Sequence, residues 1–170
     1  MELKPGTYAR VSREWKTGDR AELTLPMPAV ALVSDDRVAE NRSRIALSRG
    51  PVVYCLEGAD NPNVALERVR LPIDPVTREP LLRSEHKPEL LGGVTVLKGD
   101  ALEPAVMPDA PLYQRLEDLR EPPSREVPIT AIPYYAWANR DRRPMTVWIG
   151  YELTPPEKGK APGKANASAR

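Results

Sequence analysis

The sequence has no phenylalanine, one cysteine and one histidine among its 170 residues. A single cysteine excludes an internal disulfide, and one cysteine with one histidine cannot form a zinc site without carboxylate ligands. Charge of neither sign predominates, because 25 basic and 24 acidic residues leave a net charge of +1. Such a balance gives no basic surface for nucleic acid or for an anionic membrane. We therefore predict no nucleic-acid or membrane partner, and no metal or cofactor held by this chain.

Long apolar runs are absent as well. No segment approaches the roughly 20 apolar residues that span a bilayer, and residues 1–15 lack the apolar core of a signal peptide. We therefore expect a cytoplasmic protein.

Proline, in contrast, is abundant, with 20 residues. Because proline can neither donate to a sheet ladder nor sit inside a helix, short segments joined by many turns are expected.

Apolar and polar residues alternate with a period of two in several segments, which is typical of half-buried β-strands. The clearest examples are residues 7–15, 21–25 and 44–48. The run VVYCLE at 52–57 is apolar at successive positions, which predicts a central strand covered on both faces. Leucines at helical spacing near residues 112–119 predict one short helix.

This pattern of short strands and frequent turns predicts an all-β fold. We expect a jelly-roll-like β-sandwich with at most one or two short helices. Residues 155–170 contain no apolar residue larger than alanine, and we predict that this C-terminal tail is disordered.

Residues that could carry chemistry are few. His86 lies in the polar stretch RSEHKPE and is interpreted as a solvated side chain. Cys55 lies in an apolar strand, where a buried thiol acts as a small hydrophobe and not as a nucleophile. Asp60 and Asn61 are interpreted as turn formers. We predict no catalytic residue and no metal ligand, although 24 acidic residues leave a glycosidase-like carboxylate pair open by counting alone.

Aromatic residues remain as the candidate binding group. Tyr134, Tyr135, Trp137 and Trp148 lie in the late strands and form the candidate carbohydrate-binding set. Their flat rings suit stacking on sugars, but the same rings could instead fill the core. The pattern over residues 129–140 places aromatics on both faces of one predicted strand, which favours a covered position and a packing role.

Three blocks of the sequence resemble a known family. They are TYARVSREWKTGDRAELTLPMP, RIALSRGPVVYCLEGADN and ITAIPYYAWANRDRRPMTVWI, and together they cover most of residues 6–150. In this order they resemble the C-terminal region of the β-L-arabinofuranosidase family of glycoside hydrolases, family 127.

The resemblance implies a division of labour between domains. Such enzymes are similar in having a catalytic (α/α) barrel, with a cysteine nucleophile held at a zinc ion, followed by β-sandwich domains. None of those catalytic positions maps onto this chain. The resemblance therefore implies an accessory region that braces the barrel and mediates dimers. Residues 1–49 would end a first sandwich, and residues 50–154 would form a second.

Two other functions are consistent with the same residues. The chain could be a free-standing carbohydrate-binding module, a function that the candidate carbohydrate-binding set favours. It could also be a scaffold subunit that complements a separately encoded barrel. Its expected partners are thus a catalytic barrel domain or subunit, and a second copy of the chain.

Overall fold

The computed structural model describes residues 6–154, so the predicted disordered tail lies outside the described residues. Within them there is no α-helix, and no helix there is long and apolar enough to cross a membrane. Three 3₁₀ helices of three residues each occur, at Ala39–Asn41, Leu116–Asp118 and Tyr134–Ala136. The strands are β1 (Ala29–Leu32), β2 (Arg44–Arg49), β3 (Val52–Glu57), β4 (Arg70–Ile73), β5 (Arg83–Lys87), β6 (Val94–Pro104), β7 (Ser124–Pro133), β8 (Met145–Thr146) and β9 (Ile149–Leu153).

Six of these strands close into a barrel in the order β2, β9, β4, β6, β7, β3 and back to β2. Its neighbours are antiparallel except β4 and β9, which are parallel. The remaining strands extend this sheet, with β1 on β2, β5 on β6 and β8 on β3. The fold is all-β, but the predicted jelly-roll-like sandwich is wrong. Period-two alternation reports which face of a strand is buried, and it does not report which strands pair.

Two apolar clusters stabilise the barrel. The larger cluster fills its interior and includes Leu47, Leu56, Leu71, Leu97 and Ile149, none of which exposes any surface. The smaller cluster consists of Cys55, Val94, Val96, Ile132 and Ala136.

Strand β3 contributes to both clusters. Tyr54 and Leu56 join the larger one, while Cys55 between them joins the smaller one. The prediction that VVYCLE is covered on both faces is therefore confirmed for residues 54–57, whereas Val53 is 39% exposed.

Other predicted elements differ from the structure. Residues 7–15 and 21–25 form no strand and are exposed, since a strand needs a neighbour for its backbone groups and none pairs with them here. The expected helix near 112–119 is reduced to the 3₁₀ turn at Leu116–Asp118, whose surroundings are exposed. The strand expected to continue through Trp137 ends at Pro133.

The proposed domain boundary falls inside the sheet. Gly50 has a φ of +56° and lies between β2 and β3, which pair with each other. The left-handed backbone of this turn favours glycine. The assignment of residues 1–49 and 50–154 to successive domains of a longer protein stays a prediction.

Gly99 in β6 gives a test of this packing. A Cβ atom at this position would lie 2.7 Å from the carbonyl oxygen of Leu81 and 2.7 Å from a methyl group of Leu82. We expect Gly99→Ala to lower the free energy of unfolding by roughly 1–3 kcal/mol, because the crossing backbone cannot move aside freely. Urea denaturation measures the change, and Ser84→Ala on the exposed face of β5 is the control. Equal stability of the two variants would contradict the close approach.

Candidate functional site

The most distinctive surface is the segment 134–140, here called the aromatic loop. Tyr134, Tyr135 and Trp137 are 44%, 69% and 37% exposed. The rings of Tyr134 and Trp137 have centroids 6.2 Å apart and are tilted by 31°. The expectation that both faces are covered is therefore wrong for these three residues. Trp148, the fourth member of the candidate set, is half-buried between β8 and β9.

Local contacts give the aromatic loop its shape. Strand β7 ends at Pro133, and the next three residues form a 3₁₀ turn in which the Trp137 N–H donates to the Tyr134 carbonyl (3.3 Å). Asn139 Nδ2 donates to the Ala136 carbonyl (3.0 Å). Ala136 is buried in the smaller apolar cluster. One alanine side chain thus holds the turn to the barrel while its aromatic neighbours point outward.

A partly buried ionic cluster, here called the Glu57 anchor, fixes the far end of the loop. It consists of Glu57, Asp60 and Arg140. Glu57 ends β3 and is fully buried. Its Oε1 accepts the Ala138 N–H (3.1 Å), and its Oε2 accepts Arg140 Nη2 (2.8 Å). Because an unpaired buried carboxylate is strongly unfavourable, these bonds hold the loop against β3.

The same arginine also binds Asp60, with Arg140 Nη1 2.8 Å from Asp60 Oδ1. The hydrogen bond with Asp60 raises the pKa of Arg140 above its ordinary value, and the bond with Glu57 adds to this effect against the opposing effect of burial. Arg140 therefore stays charged and satisfies both carboxylates. Ala138 is held between these contacts with a φ of +57°, a backbone conformation that is unfavourable for a residue with a Cβ atom.

Asn61 connects the end of β3 to β7. Its Nδ2 donates to the carbonyls of Glu57 (2.8 Å) and Thr130 (2.9 Å), and its Oδ1 accepts the Thr130 N–H (2.8 Å). The Asn61 side chain thus bonds both backbone groups of Thr130 in β7, as the backbone of a neighbouring strand would. The interpretation of Asp60 and Asn61 as turn formers missed these long-range roles. The available signal was Glu57 itself, a charged residue at the end of a strand covered on both faces.

Cys55 and His86, the other residues considered for chemistry, differ in burial. Cys55 is fully buried, and burial raises the pKa of its thiol to about 12, with the charges of Glu57 and Asp60 contributing. A thiol with so high a pKa is a poor nucleophile at neutral pH. His86 is exposed on β5. Over residues 6–154 there is no group of three or more His, Cys, Asp or Glu side chains that could hold a metal ion.

A cleft of about 450 Å³ lies beside a second ionic cluster. Glu103 is 6% exposed and accepts Arg68 Nη2 (2.9 Å) and Arg125 Nη2 (2.8 Å). Burial opposes the charged form of Glu103, but the two arginines outweigh it and lower its pKa. Each guanidinium group binds Glu103 through its Nη2 atom, and Arg125 Nη2 also donates to the Asn63 carbonyl, so this cluster joins β6, β7 and the 63–68 turn.

Comparisons with known proteins agree on one family. The family model described as the glycoside hydrolase family 127 C-terminal domain matches residues 30–150. The chain is 38% identical over 135 residues to a non-reducing end β-L-arabinofuranosidase of Bifidobacterium longum. That alignment covers 77% of this chain and 20% of the relative.

Solved structures give the same result. A family 127 β-L-arabinofuranosidase from Geobacillus stearothermophilus is 38% identical with a TM-score of 0.62, covering 75% of this chain and 19% of that protein. A further solved glycoside hydrolase is 32% identical with a TM-score of 0.65, covering 89% of this chain and 24% of its own. The chain therefore spans about a fifth to a quarter of the length of these relatives.

The Glu57 anchor can be tested by removing its cation. We expect Arg140→Ala to lower the free energy of unfolding by roughly 3–5 kcal/mol, because it leaves Glu57 buried without its partner. Guanidinium denaturation measures the loss. The matched control is Arg143→Ala, since the Arg143–Asp141 pair is 3.8 Å apart with side chains 58% and 78% exposed and should matter little. Similar effects of the two substitutions would show that the buried pair does not hold the loop.

Proposed function

The chain belongs to glycoside hydrolase family 127 as its C-terminal domain, and from this membership we propose that it is a non-catalytic accessory domain. In this proposal it packs against the catalytic domain of a β-L-arabinofuranosidase-like enzyme and braces it. The catalytic domain would belong to the same polypeptide or to a separately encoded subunit that this chain complements.

The observation that carries the proposal is the anchored aromatic loop. Tyr134, Tyr135 and Trp137 are exposed on a short segment that a buried ion pair holds to the barrel. Exposed tyrosine and tryptophan side chains on a fixed backbone are typical of protein interfaces, because they bury much area at little cost in conformational entropy. A second copy of this chain is the other partner for such a surface.

The reacting groups would lie on the catalytic domain. The resemblance described above implies a zinc ion and a cysteine nucleophile for such enzymes, and the described residues do not fit that site. Cys55 is the single cysteine of the chain and is fully buried, and no cluster of ligands surrounds it. Cytoplasmic location stays a prediction.

Carbohydrate binding is the second candidate function. The exposed rings of Tyr134 and Trp137 lie side by side with a tilt of 31°, and such a pair offers apolar faces to a sugar ring. Trp148 is less accessible than these two because it is half-buried. In this function the domain would hold the substrate polymer near a catalytic domain.

Docking can be measured with the Bifidobacterium relative. Its N-terminal portion, truncated before the region that matches this chain, is mixed with the chain and analysed by light scattering and calorimetry. We expect an equimolar complex, with Tyr135→Ala/Trp137→Ala weakening it about tenfold or more, as for interface hot spots. Tyr113→Ala is the control, because Tyr113 is 94% exposed on a different loop. No complex with the unaltered chain, or arabinose release by the chain alone, would contradict the proposal.

The second candidate is tested by titrating the chain with L-arabinan fragments in a calorimeter. If the loop binds sugar, heat is released and is lost in Trp137→Ala, because removing the indole removes the stacking face. Absence of heat with the unaltered chain would eliminate this function and leave docking unaffected.

A further inference from the structure

The sheet edges of this fold lie outside the closed barrel. A closed barrel has no free edge, so the strands that extend it, β1, β5 and β8, carry the edges. A free edge offers unpaired N–H and C=O groups to any other strand, and proteins protect such edges with charge, proline or short length. The three edges differ in this protection.

Strands β5 and β8 are protected. Strand β5 has the sequence RSEHK, and its Glu85 forms ion pairs with Lys87 and Lys98. A proline, Pro88, follows immediately. Strand β8 has only two residues. Neither edge favours the addition of a further strand.

Strand β1 has less of this protection. Its sequence is AVAL, followed by Val33, with no charged residue and no proline within these five positions, although Pro28 directly precedes the strand. Ala29 and Ala31 pack against the barrel core, whereas Val30, Leu32 and Val33 are 37%, 44% and 71% exposed. All four residues of β1 pair with β2, and no strand of the described chain pairs with its other edge.

One exposed valine of β1 shares its sheet face with an exposed valine of β3. Val30 lies opposite Ser48 in β2, and Ser48 lies opposite Val53 in β3, which is 39% exposed. Ser48 between the two valines is 6% exposed.

We propose that the free edge of β1 accepts an extended strand from the catalytic part of a family 127 enzyme. The inference rests on the proposed function and specifies where the two parts join. Two observations favour this occupant. Residues 6–28 lead directly into β1 and form no strand, so polypeptide preceding the barrel arrives at the first residue of this edge strand. In addition, the solved relatives devote 76–81% of their length to parts outside the match.

The chemistry of the edge describes the incoming strand. It should alternate apolar and polar residues, so that its apolar side chains cover Val30 and Leu32. It should have no proline at positions that donate to β1. Recognition then combines main-chain hydrogen bonds with burial of two or three aliphatic side chains, as in other cases of strand addition.

The test places two charges on the edge. Val30→Lys/Leu32→Lys is compared with the unaltered chain for binding to the truncated Bifidobacterium relative, and we expect affinity about tenfold or more lower. The matched control is Ser84→Lys/His86→Lys, which adds two lysines to exposed positions of the β5 edge and should bind like the unaltered chain. Circular dichroism verifies that all variants retain the same strand content.

The possible outcomes separate this inference from the proposed function. Equal binding by the β1 variant overturns the edge site and leaves docking in place, whereas no binding by the unaltered chain overturns both. Self-association that the two lysines abolish, with unchanged binding to the relative, would assign the edge to a second copy and overturn the inference. Hydrogen exchange gives a measurement without substitutions: the amides of β1 that point away from β2, which belong to every second residue, become protected in the complex if a strand is added, and remain unprotected if not.

Discussion

The most distinctive surface of the fold depends on one ion pair, between the buried Glu57 and the partly exposed Arg140. Glu57 has no exposed surface, so its charge must be neutralised within the protein. Arg140 supplies the opposite charge and the Ala138 N–H donates a hydrogen bond, both from the end of the aromatic loop. The loop cannot move away from β3 without leaving a carboxylate unpaired in the interior. Fixing the backbone in this way reduces the entropy that Tyr134, Tyr135 and Trp137 would lose on meeting a partner.

The ion pair is effective because the end of β3 is covered on both sides. Tyr54 and Leu56 enter one apolar cluster, and Cys55 between them enters the other. The strand therefore has little freedom, and the carboxylate at its end is held in place by packing at the preceding residues. Asn61 then joins the turn after β3 to β7, so both ends of the aromatic loop start from the same rigid pair of strands.

Local pattern in the sequence was sufficient for some of this structure and insufficient for the rest. Alternation identified β2, and the continuous apolar run identified β3 with both faces covered. Closure of the barrel was not predictable, because the pairing of Ile45 with Ile149 joins residues far apart in the sequence. The exposure of Tyr134 and Tyr135 was missed because the alternation was extended past Pro133, where the strand ends. The pairing of Arg140 with Glu57 was not predictable either, because the two residues lie 83 positions apart.

The position of β9 has a consequence for how the protein forms. This strand is inserted between β2 and β4, although it follows every other strand in the chain. During synthesis β2 and β4 therefore lack their shared neighbour, and the barrel stays open until residue 153 has left the ribosome. Contacts between such distant residues form slowly because a long loop must close first. Nascent chains halted before β9 would expose apolar strands, and they are natural clients for chaperones.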